Sequence, residues 1–531
     1  MSVLSLLFRG ILHLIYLISR MFAKEQPTEQ IFSKRRIKKI AIVGCGPSGM
    51  SALKNFLQDQ KQHQYDRVVA FEKSPRFGGV WNLSKESPMY ESLHTNTSRQ
   101  MMTFSDFPLK NTIADYPSYE QIHDYLNAYG DHFKLRPYVQ FETTVTRVQK
   151  VENKIHNDRP LVQWNVTTVH NNKETTELFD AVLISNGHYN IPRFPKEYVE
   201  LSQTYKKGKV VHSKDYKNND MFKDKVVVVV GLAASGSEIC ARIATAAKTT
   251  YASCRENTIV VPKYAWGKPT DQIGRRRCVK KLPILLQKII ELILVASQTV
   301  RGQAFRQVNK KLPKNVTPGI STECGQMIGD GRIHITLPMA SFNKDTITFP
   351  VYGQEEPLVI SPDYVVLCTG YDLEFSFFDP KQNILDIDPA IRRVMPLYKQ
   401  IFHIKYPNLA FAGLPLRVEP ILASETQVRY IDAVWSGEVG LPSEEGMNQD
   451  NTNRENYLKK NGIQLRFWHV VDHLTYVDDL ARHGKFYAHS CKWSNSDMFV
   501  PLVFWPASPF QYRIDGRGSM PSARTGILTN W

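Results

Sequence analysis

The sequence predicts an α/β protein built around two Rossmann-like dinucleotide-binding domains. Two glycine-rich loops, at residues 44–49 and 231–236, each stand between an apolar strand and a helical pattern. In each case the next strand ends on a charged residue, at the place where such domains contact the nucleotide ribose. The chain has 531 residues, of which 42% are hydrophobic and 22% charged. This composition excludes disordered and collagen-like proteins, and the length allows about three or four domains.

The first glycine loop has the complete G-x-G-x-x-G pattern. An apolar strand at residues 37–43 precedes it and a helix follows it. In this pattern Gly44 permits the tight turn, Gly46 lets the backbone approach a pyrophosphate, and Gly49 lets the helix pack closely on the strand. The first N–H groups of the helix, which include that of Ser48, favour a bound phosphate.

The strand after this loop, residues 67–71, is followed directly by Glu72. Such an acid, about 20 residues beyond the glycines, accepts hydrogen bonds from the ribose hydroxyls. A carboxylate there also repels a 2′-phosphate. The first unit is therefore expected to bind a nucleotide with a free 2′-hydroxyl, such as FAD.

The second glycine loop follows five consecutive valines at residues 226–230. A run of this kind is typical of a strand buried on both faces of a parallel sheet. The middle position of the loop is Ala233 instead of glycine. One methyl group limits how closely the backbone can approach a pyrophosphate, so this loop is a looser version of the pattern.

The next predicted strand, Thr249–Cys254, is followed by Arg255, where the first unit has its acid. A guanidinium can pair with a 2′-phosphate through two parallel hydrogen bonds. The second unit is therefore expected to prefer NADPH. The neighbouring Glu256 leaves NADH as the alternative.

Several other classes of protein are excluded by charge and cysteine usage. The seven cysteines are scattered and none forms a C-x-x-C pair. This argues against a disulfide framework, a zinc site and the redox dithiol of pyridine-nucleotide disulfide reductases. The net charge is +16, but the basic residues are dispersed and form no recognition motif, so we expect no nucleic-acid partner.

Five further segments identify a family. They are FGGVW at 77–81, LHTNTS at 93–98, MMTFSDFP at 101–108, KKGKVVHSKDY at 206–216 and CTGY at 368–371. In this order the segments resemble those of the flavin-containing monooxygenases, over roughly residues 36–440. The TNTS and SDFP segments are the most specific, whereas glycine loops alone are not.

The resemblance implies an activity and its cofactors. In this family NADPH reduces FAD, oxygen adds to the flavin, and the C4a-hydroperoxyflavin transfers one oxygen atom to a nucleophilic nitrogen or sulfur of a small lipophilic substrate. The partners implied are thus an amine or sulfur compound and O2. The chemistry resides on the cofactor, and the family also implies the endoplasmic reticulum membrane.

The resemblance also implies roles for single residues. Asn96 matches the active-site asparagine of the family, and Trp81 is expected to pack on the flavin ring. The family's aromatic residue two positions before Gly208 is replaced by Lys206, which puts that position's role in doubt. The complete set of candidate cofactor-binding residues is Gly44, Gly46, Ser48, Gly49, Glu72, Val80, Trp81, Thr95, Asn96, Thr97, Gly231, Ala233, Ser235, Gly236, Ser237 and Arg255.

Two alternative activities share this layout. Baeyer–Villiger monooxygenases attack ketones with the same oxygenated flavin, but they usually have tryptophan at the position of Tyr216. A membrane-associated flavoprotein could instead oxidise NADPH and release hydrogen peroxide.

Two segments suggest contact with a membrane surface. Residues 1–24 are apolar with a polar stripe that includes Arg9 and His13, which favours a helix lying in the interface over a spanning helix or a signal peptide. Residues 264–330 are basic and contain the apolar run Leu282–Ala296, which is too short and too polar to span a bilayer. It fits a basic amphipathic helix on a membrane surface or over the substrate entrance, and a helix packed between domains is the alternative.

The expected domain organisation places the NADP domain inside the FAD domain. Residues 441–465 are polar and are expected to form an exposed connection. The predicted segments are a membrane-associating helix at 1–24, the FAD domain at 36–190 and 371–440, the NADP domain at 191–370, its basic insertion at 264–330, and a C-terminal extension at 441–531. The sequence leaves the oligomeric state open.

Overall fold

A computed structural model shows the architecture. It describes residues 28–32, 36–60, 65–151, 155–156, 159–160, 162–255, 258–280, 319–351, 353–389, 391–490 and 492–529. Residues 1–24, Leu282–Ala296 and Glu256 lie outside the described residues, and so do the predictions made for them. Within the described part, no helix is long and apolar enough to cross a membrane.

The first part of the chain alternates strands and helices as predicted. Strand β1 leads through the first glycine loop into helix α1, which returns the chain to β2 beside β1. The elements are β1 Lys39–Val43, α1 Pro47–Gln60, β2 Arg67–Phe71, α2 Tyr119–His132, β3 Val139–Gln140, β4 Thr143–Val151, β5 Gln163–His170, β6 Lys173–Phe179 and β7 Ala181–Ile184.

The middle part of the chain builds a second, separate sheet of parallel strands. Its elements are α3 Lys196–Thr204, β8 Lys209–His212, β9 Val226–Val230, α4 Ala234–Ile243, β10 Thr249–Ser253, α5 Thr270–Gly274, α6 Arg277–Lys280, α7 Thr322–Gly329, β11 Ile333–Thr336 and β12 Tyr364–Leu367. The strand order is β8-β12-β9-β10-β11, and all neighbours are parallel. Four of the five valines of β9 are buried, as expected for a strand with helices on both faces.

The chain then returns to the first sheet. The returning elements are β13 Leu397–Tyr398, β14 Phe402–His403, β15 Leu409–Phe411 and α8 Pro420–Trp435. The completed sheet has the order β13-β14-β15-β7-β1-β2-β3, with β15 parallel to β7. The second sheet is thus inserted between β7 and β13 of the first, which confirms the predicted fold class.

The two connections between the sheets run side by side. Ile191 and Pro192 pair antiparallel with Asp372 and Tyr371. His212, at the end of β8, is 1% exposed, and its Nε2 lies 3.0 Å from the carbonyl oxygen of Gly370. This histidine therefore links the second sheet to the returning connection, which is a structural role.

The C-terminal extension is folded and includes the segment expected to be an exposed connection. Residues Glu444–Lys460 form a 17-residue helix, α9, whose first turn is capped by the Ser443 side chain. The segment is largely exposed, as expected, but it is a helix and not an irregular connection. A capping serine, early glutamates and late lysines favour a helix even where few apolar side chains are present. The later helices are α10 His473–His483, α11 Phe499–Phe504 and α12 Ala523–Thr529.

A buried ion network joins this extension to the first domain. Arg513 is 1% exposed and pairs with Glu425 of α8 and with Asp106 of the SDFP segment. Asp106 also pairs with Lys54 of α1, and Ser105 donates to Glu425. Four separate stretches of the chain therefore meet in this network.

Removing this guanidinium tests the network. Arg513→Met leaves Glu425 and Asp106 with fewer partners in a buried site, and we expect a loss of about 3–5 kcal/mol of folding free energy. Thermal unfolding followed by circular dichroism measures it. The matched control is Arg67→Met, since Arg67 forms a largely exposed pair with Glu177 and should cost less than about 1 kcal/mol. Equal effects of the two substitutions would contradict the role given to Arg513.

Candidate active site

The first glycine loop leaves no space for side chains at two of its glycines. Gly44 has a φ of +90°, and a Cβ there would lie 2.7 Å from the carbonyl oxygen of Ser185. A Cβ on Gly49 would overlap with the carbonyl oxygen of Gly44. The turn therefore requires glycine at both positions, and it leads into α1, whose first N–H groups have no carbonyl partner within the helix. Ser48, in this first turn, hydrogen-bonds through its hydroxyl to Ser424 at 2.7 Å.

A second glycine turn packs against this loop. Gly78 and Gly79 both have positive φ, and a Cβ on Gly79 would lie 3.0 Å from the Cα of Gly46. Val80 and Trp81 follow in a short 3-10 helix, and Trp81 packs half-buried against the core of the first domain. The structure thus brings the FGGVW segment to the glycine loop, as the prediction for these residues requires.

Glu72 lies beside the first glycine loop and is hydrogen-bonded to it. Its side chain is 4% exposed and accepts the N–H of Cys45 at 2.7 Å through Oε2, and that of Ser74 at 2.9 Å through Oε1. Burial raises the pKa of the Cys45 thiol well above its ordinary value, and the charge of Glu72 raises it further. The thiol therefore stays protonated, and the carboxylate remains beside the backbone that would receive the nucleotide.

The TNTS segment forms a loop anchored on both sides of Asn96. The N–H of Thr95 donates to the carbonyl of Pro117 at 2.9 Å, and the Thr95 hydroxyl donates to the carbonyl of Thr97 at 2.8 Å. The N–H of Ser98 donates to a carboxylate oxygen of Asp271 at 2.7 Å. Asn96 itself is exposed. The loop is therefore held by its backbone while the asparagine amide is accessible.

The second glycine loop repeats the geometry of the first. Gly231 has a φ of +91°, and a Cβ on Gly236 would overlap with the carbonyl oxygen of Gly231. Ala233 is the residue just before α4 and has a φ of −72°, which any residue can adopt. Ser237 is buried against the helix, where its hydroxyl donates to the carbonyl of Ala234. The methyl group of Ala233 is thus accommodated without backbone strain.

Ser235 and Arg255 are both exposed. Arg255 follows β10, as predicted, and residues from elsewhere in the chain join it. Burial lowers the pKa of the Arg466 guanidinium, and the positive charges of Arg255 and Arg193 lower it further. Arg255 and Arg193 are thus near enough to act on Arg466 electrostatically, and Arg193 also forms a 3.8 Å ion pair with Asp372. This grouping of positive charge favours an anion. Arg193 lies in the connection between the sheets and Arg466 in the C-terminal extension, so no local motif could have revealed them.

The comparison with protein families settles the class. A family model described as flavin-binding monooxygenase-like matches residues 37–531. The chain belongs to this family. The match extends past residue 440, where the sequence resemblance was expected to end, because the C-terminal extension is part of the same folded unit.

Individual flavin monooxygenases support the assignment. Flavin-containing monooxygenase 1 of Oryctolagus cuniculus is 31% identical over 516 residues, which is 93% of this chain and 92% of that protein. Human dimethylaniline monooxygenase [N-oxide-forming] 4 is 28% identical and covers 93% of this chain and 88% of its own length. The structure of S-allyl-L-cysteine S-oxygenase from Allium sativum matches in fold, with a TM-score of 0.61 at 22% identity over 94% of this chain and 100% of that chain.

The protein is thus an oxidoreductase of the flavin monooxygenase class that depends on FAD and NADPH. The two glycine loops with their charged neighbours, called the two cradles below, fit these cofactors. Both loops bring the start of a helix directly against a strand, where the free N–H groups of the helix can receive a pyrophosphate. A carboxylate lies beside the first loop, and an arginine follows the strand after the second loop. A ribose with free hydroxyls suits the first, and a 2′-phosphate suits the second.

The arginine cluster gives a prediction on nucleotide choice. Arg255→Ala and Arg466→Ala should each weaken binding of NADP⁺ by about tenfold, since each removes a charged hydrogen-bond donor from a phosphate, and should leave NAD⁺ binding nearly unchanged. Isothermal titration of the FAD-loaded protein measures both constants. Arg524→Ala, on the exposed ion pair with Asp497, is the control. If the variants lost affinity for NADP⁺ and NAD⁺ equally, Arg255 and Arg466 would not be contacts of the 2′-phosphate.

Proposed function

We propose that the protein transfers one atom of O2 to a nucleophilic nitrogen or sulfur of a small lipophilic substrate. NADPH supplies two electrons, the second oxygen atom leaves as water with two protons, and NADP⁺ is formed. The names of the N-oxide-forming relative and of the S-oxygenase support this substrate class. When bound, FAD supplies the oxygen chemistry, so the protein's task is to bind, orient and exclude water.

The observation that carries the proposal is the placement of Asn96. Its loop is anchored on one side to Pro117, in the first domain, and on the other to Asp271, on the short helix α5 between β10 and β11 of the chain. We infer that the amide, which can donate and accept hydrogen bonds, orients the bound cofactors between the two domains. The glycine loops hold the pyrophosphates, Glu72 holds a ribose, and Trp81 packs on the flavin ring.

A turnover assay tests this function. The purified, FAD-loaded protein should consume NADPH faster when trimethylamine or a thioether is added and should form the N-oxide or sulfoxide, detected by mass spectrometry. A ketone such as cyclohexanone should give no lactone. The proposal fails if NADPH consumption does not depend on substrate and all the oxygen appears as hydrogen peroxide.

Asn96→Ala refines the same assay. We expect the oxygenated product to fall by about tenfold or more, as for removal of a positioned hydrogen-bonding group, while NADPH oxidation continues with release of peroxide. Asn453→Ala, on the exposed face of α9, is the control. An unchanged ratio of product to peroxide in the Asn96 variant would contradict the role of the amide.

We also propose that the enzyme works at a membrane surface, on the cytoplasmic face of the endoplasmic reticulum. The support is the polar stripe of the apolar segment 1–24 and the basic residues that follow it. Deletion of residues 1–22 should move the protein from the membrane pellet to the soluble fraction in cell fractionation. If the distribution does not change, residues 1–24 are not the anchor.

A further inference from the structure

The contact between Asp271 and the TNTS loop joins two distant parts of the chain. Asp271 lies on the short helix α5, which follows the second glycine loop, whereas Ser98 belongs to the first domain. A hairpin made of Tyr264–Ala265 and Lys268–Pro269 precedes α5. Thr270, at the start of the helix, donates to the carbonyls of Lys263 and Pro262 through its N–H and its hydroxyl. Lys263 in turn donates its N–H to Thr322 of α7 and pairs with Glu238 of α4, so the segment that presents the carboxylate is braced on the second domain.

The same segment contacts the other anchor of the loop. The hydroxyl of Tyr116 donates to the carbonyl of Lys263, and the ring of Tyr116 packs edge-on against Tyr264 with centroids 5.2 Å apart. Tyr116 immediately precedes Pro117, whose carbonyl accepts the N–H of Thr95. Both ends of the Asn96 loop thus depend on residues 263–271.

We propose that Asp271 is a positioning residue, whose carboxylate fixes the Asn96 loop to the NADP-binding half and so couples the placement of that half to the geometry of Asn96. This inference rests on the proposed function of Asn96. The carboxylate acts through the backbone of Ser98 and touches no reacting atom. An ionised acceptor makes a hydrogen bond to an N–H about twice as strong as a neutral one.

The surroundings of Asp271 make this contact depend on pH. Burial raises the pKa of the Asp271 carboxyl to about 6; the charge of Glu419 raises it, while the Ser98 N–H and Arg275 lower it. Glu419 keeps its charge over the relevant range, because Arg275 and His473 lower its pKa to about 2 despite burial. Tyr116, which also faces Asp271, has its pKa raised by burial and by Asp271 and stays neutral.

The sign of the pH effect follows from these neighbours. Above about pH 6 the carboxylate is ionised and binds the Ser98 N–H strongly. As pH falls through 6 it gains a proton and becomes a neutral, weaker acceptor. Because its folded pKa is raised, ionisation of Asp271 also costs folding free energy as pH rises from about 4 to about 6. The tight contact is thus formed at the expense of some stability.

Hydrogen–deuterium exchange tests the contact without turnover. In the FAD-loaded protein near neutral pH, the peptide containing Ser98 should exchange about tenfold faster in Asp271→Ala, and to a smaller extent in Asp271→Asn, whose amide oxygen still accepts. Asp330→Asn makes the same charge change at an exposed position after α7 and should leave exchange unchanged. Unaltered exchange in Asp271→Ala overturns the proposal.

The ratio of product to peroxide tests the consequence. For the wild type the peroxide share should rise as pH falls from 7 to 5, whereas Asp271→Asn should show a flat profile at a level near that of the wild type at low pH. A variant that exchanges faster at Ser98 yet keeps the wild-type ratio and profile contradicts the positioning role. If the wild type forms no oxygenated product at any pH, the proposed function fails, and the exchange experiment still decides the contact.

Discussion

Two strand-to-helix turns in this chain have no space for a side chain, and both nucleotide cradles depend on that constraint. At Gly49 and Gly236 an added methyl group would overlap with the carbonyl of the glycine that opens the same loop. The helix must therefore start directly against the strand. Its unpaired N–H groups then lie where the pyrophosphate of a dinucleotide approaches.

Opposite charges distinguish the two otherwise similar cradles. Glu72 is buried beside the first loop, with both oxygens bound to backbone N–H groups. Beyond the second loop, burial and the positive charges of Arg255 and Arg193 lower the pKa of Arg466, and a bound phosphate would offset this repulsion. The two charges would thus let the same kind of turn accept two different nucleotides within a single chain.

Local features of the sequence predicted the strand–turn–helix units well, because each unit depends on residues close together in the chain. The spacing and the residue types predicted the strand before each loop, the glycine turn itself and the charged residue after each second strand. Residues that act across long separations were not predictable in this way. Arg513 meets Asp106, Arg466 lies near Arg255, and Asp271 meets Ser98, each more than 100 residues away in the chain. A lone arginine or aspartate has no periodic pattern. The polar helix α9 was missed because its stability comes from capping and end charges instead of an apolar face.

The central claim is that one chain holds two different adenine nucleotides at the same time. The most direct measurement is the binding stoichiometry of the purified protein, with FAD counted by its visible absorbance and NADP⁺ by titration calorimetry. The account predicts one FAD and one NADP⁺ per chain, with FAD retained when NADP⁺ saturates its site. A colourless protein that cannot be reconstituted with FAD, or displacement of FAD by NADP⁺, would contradict it.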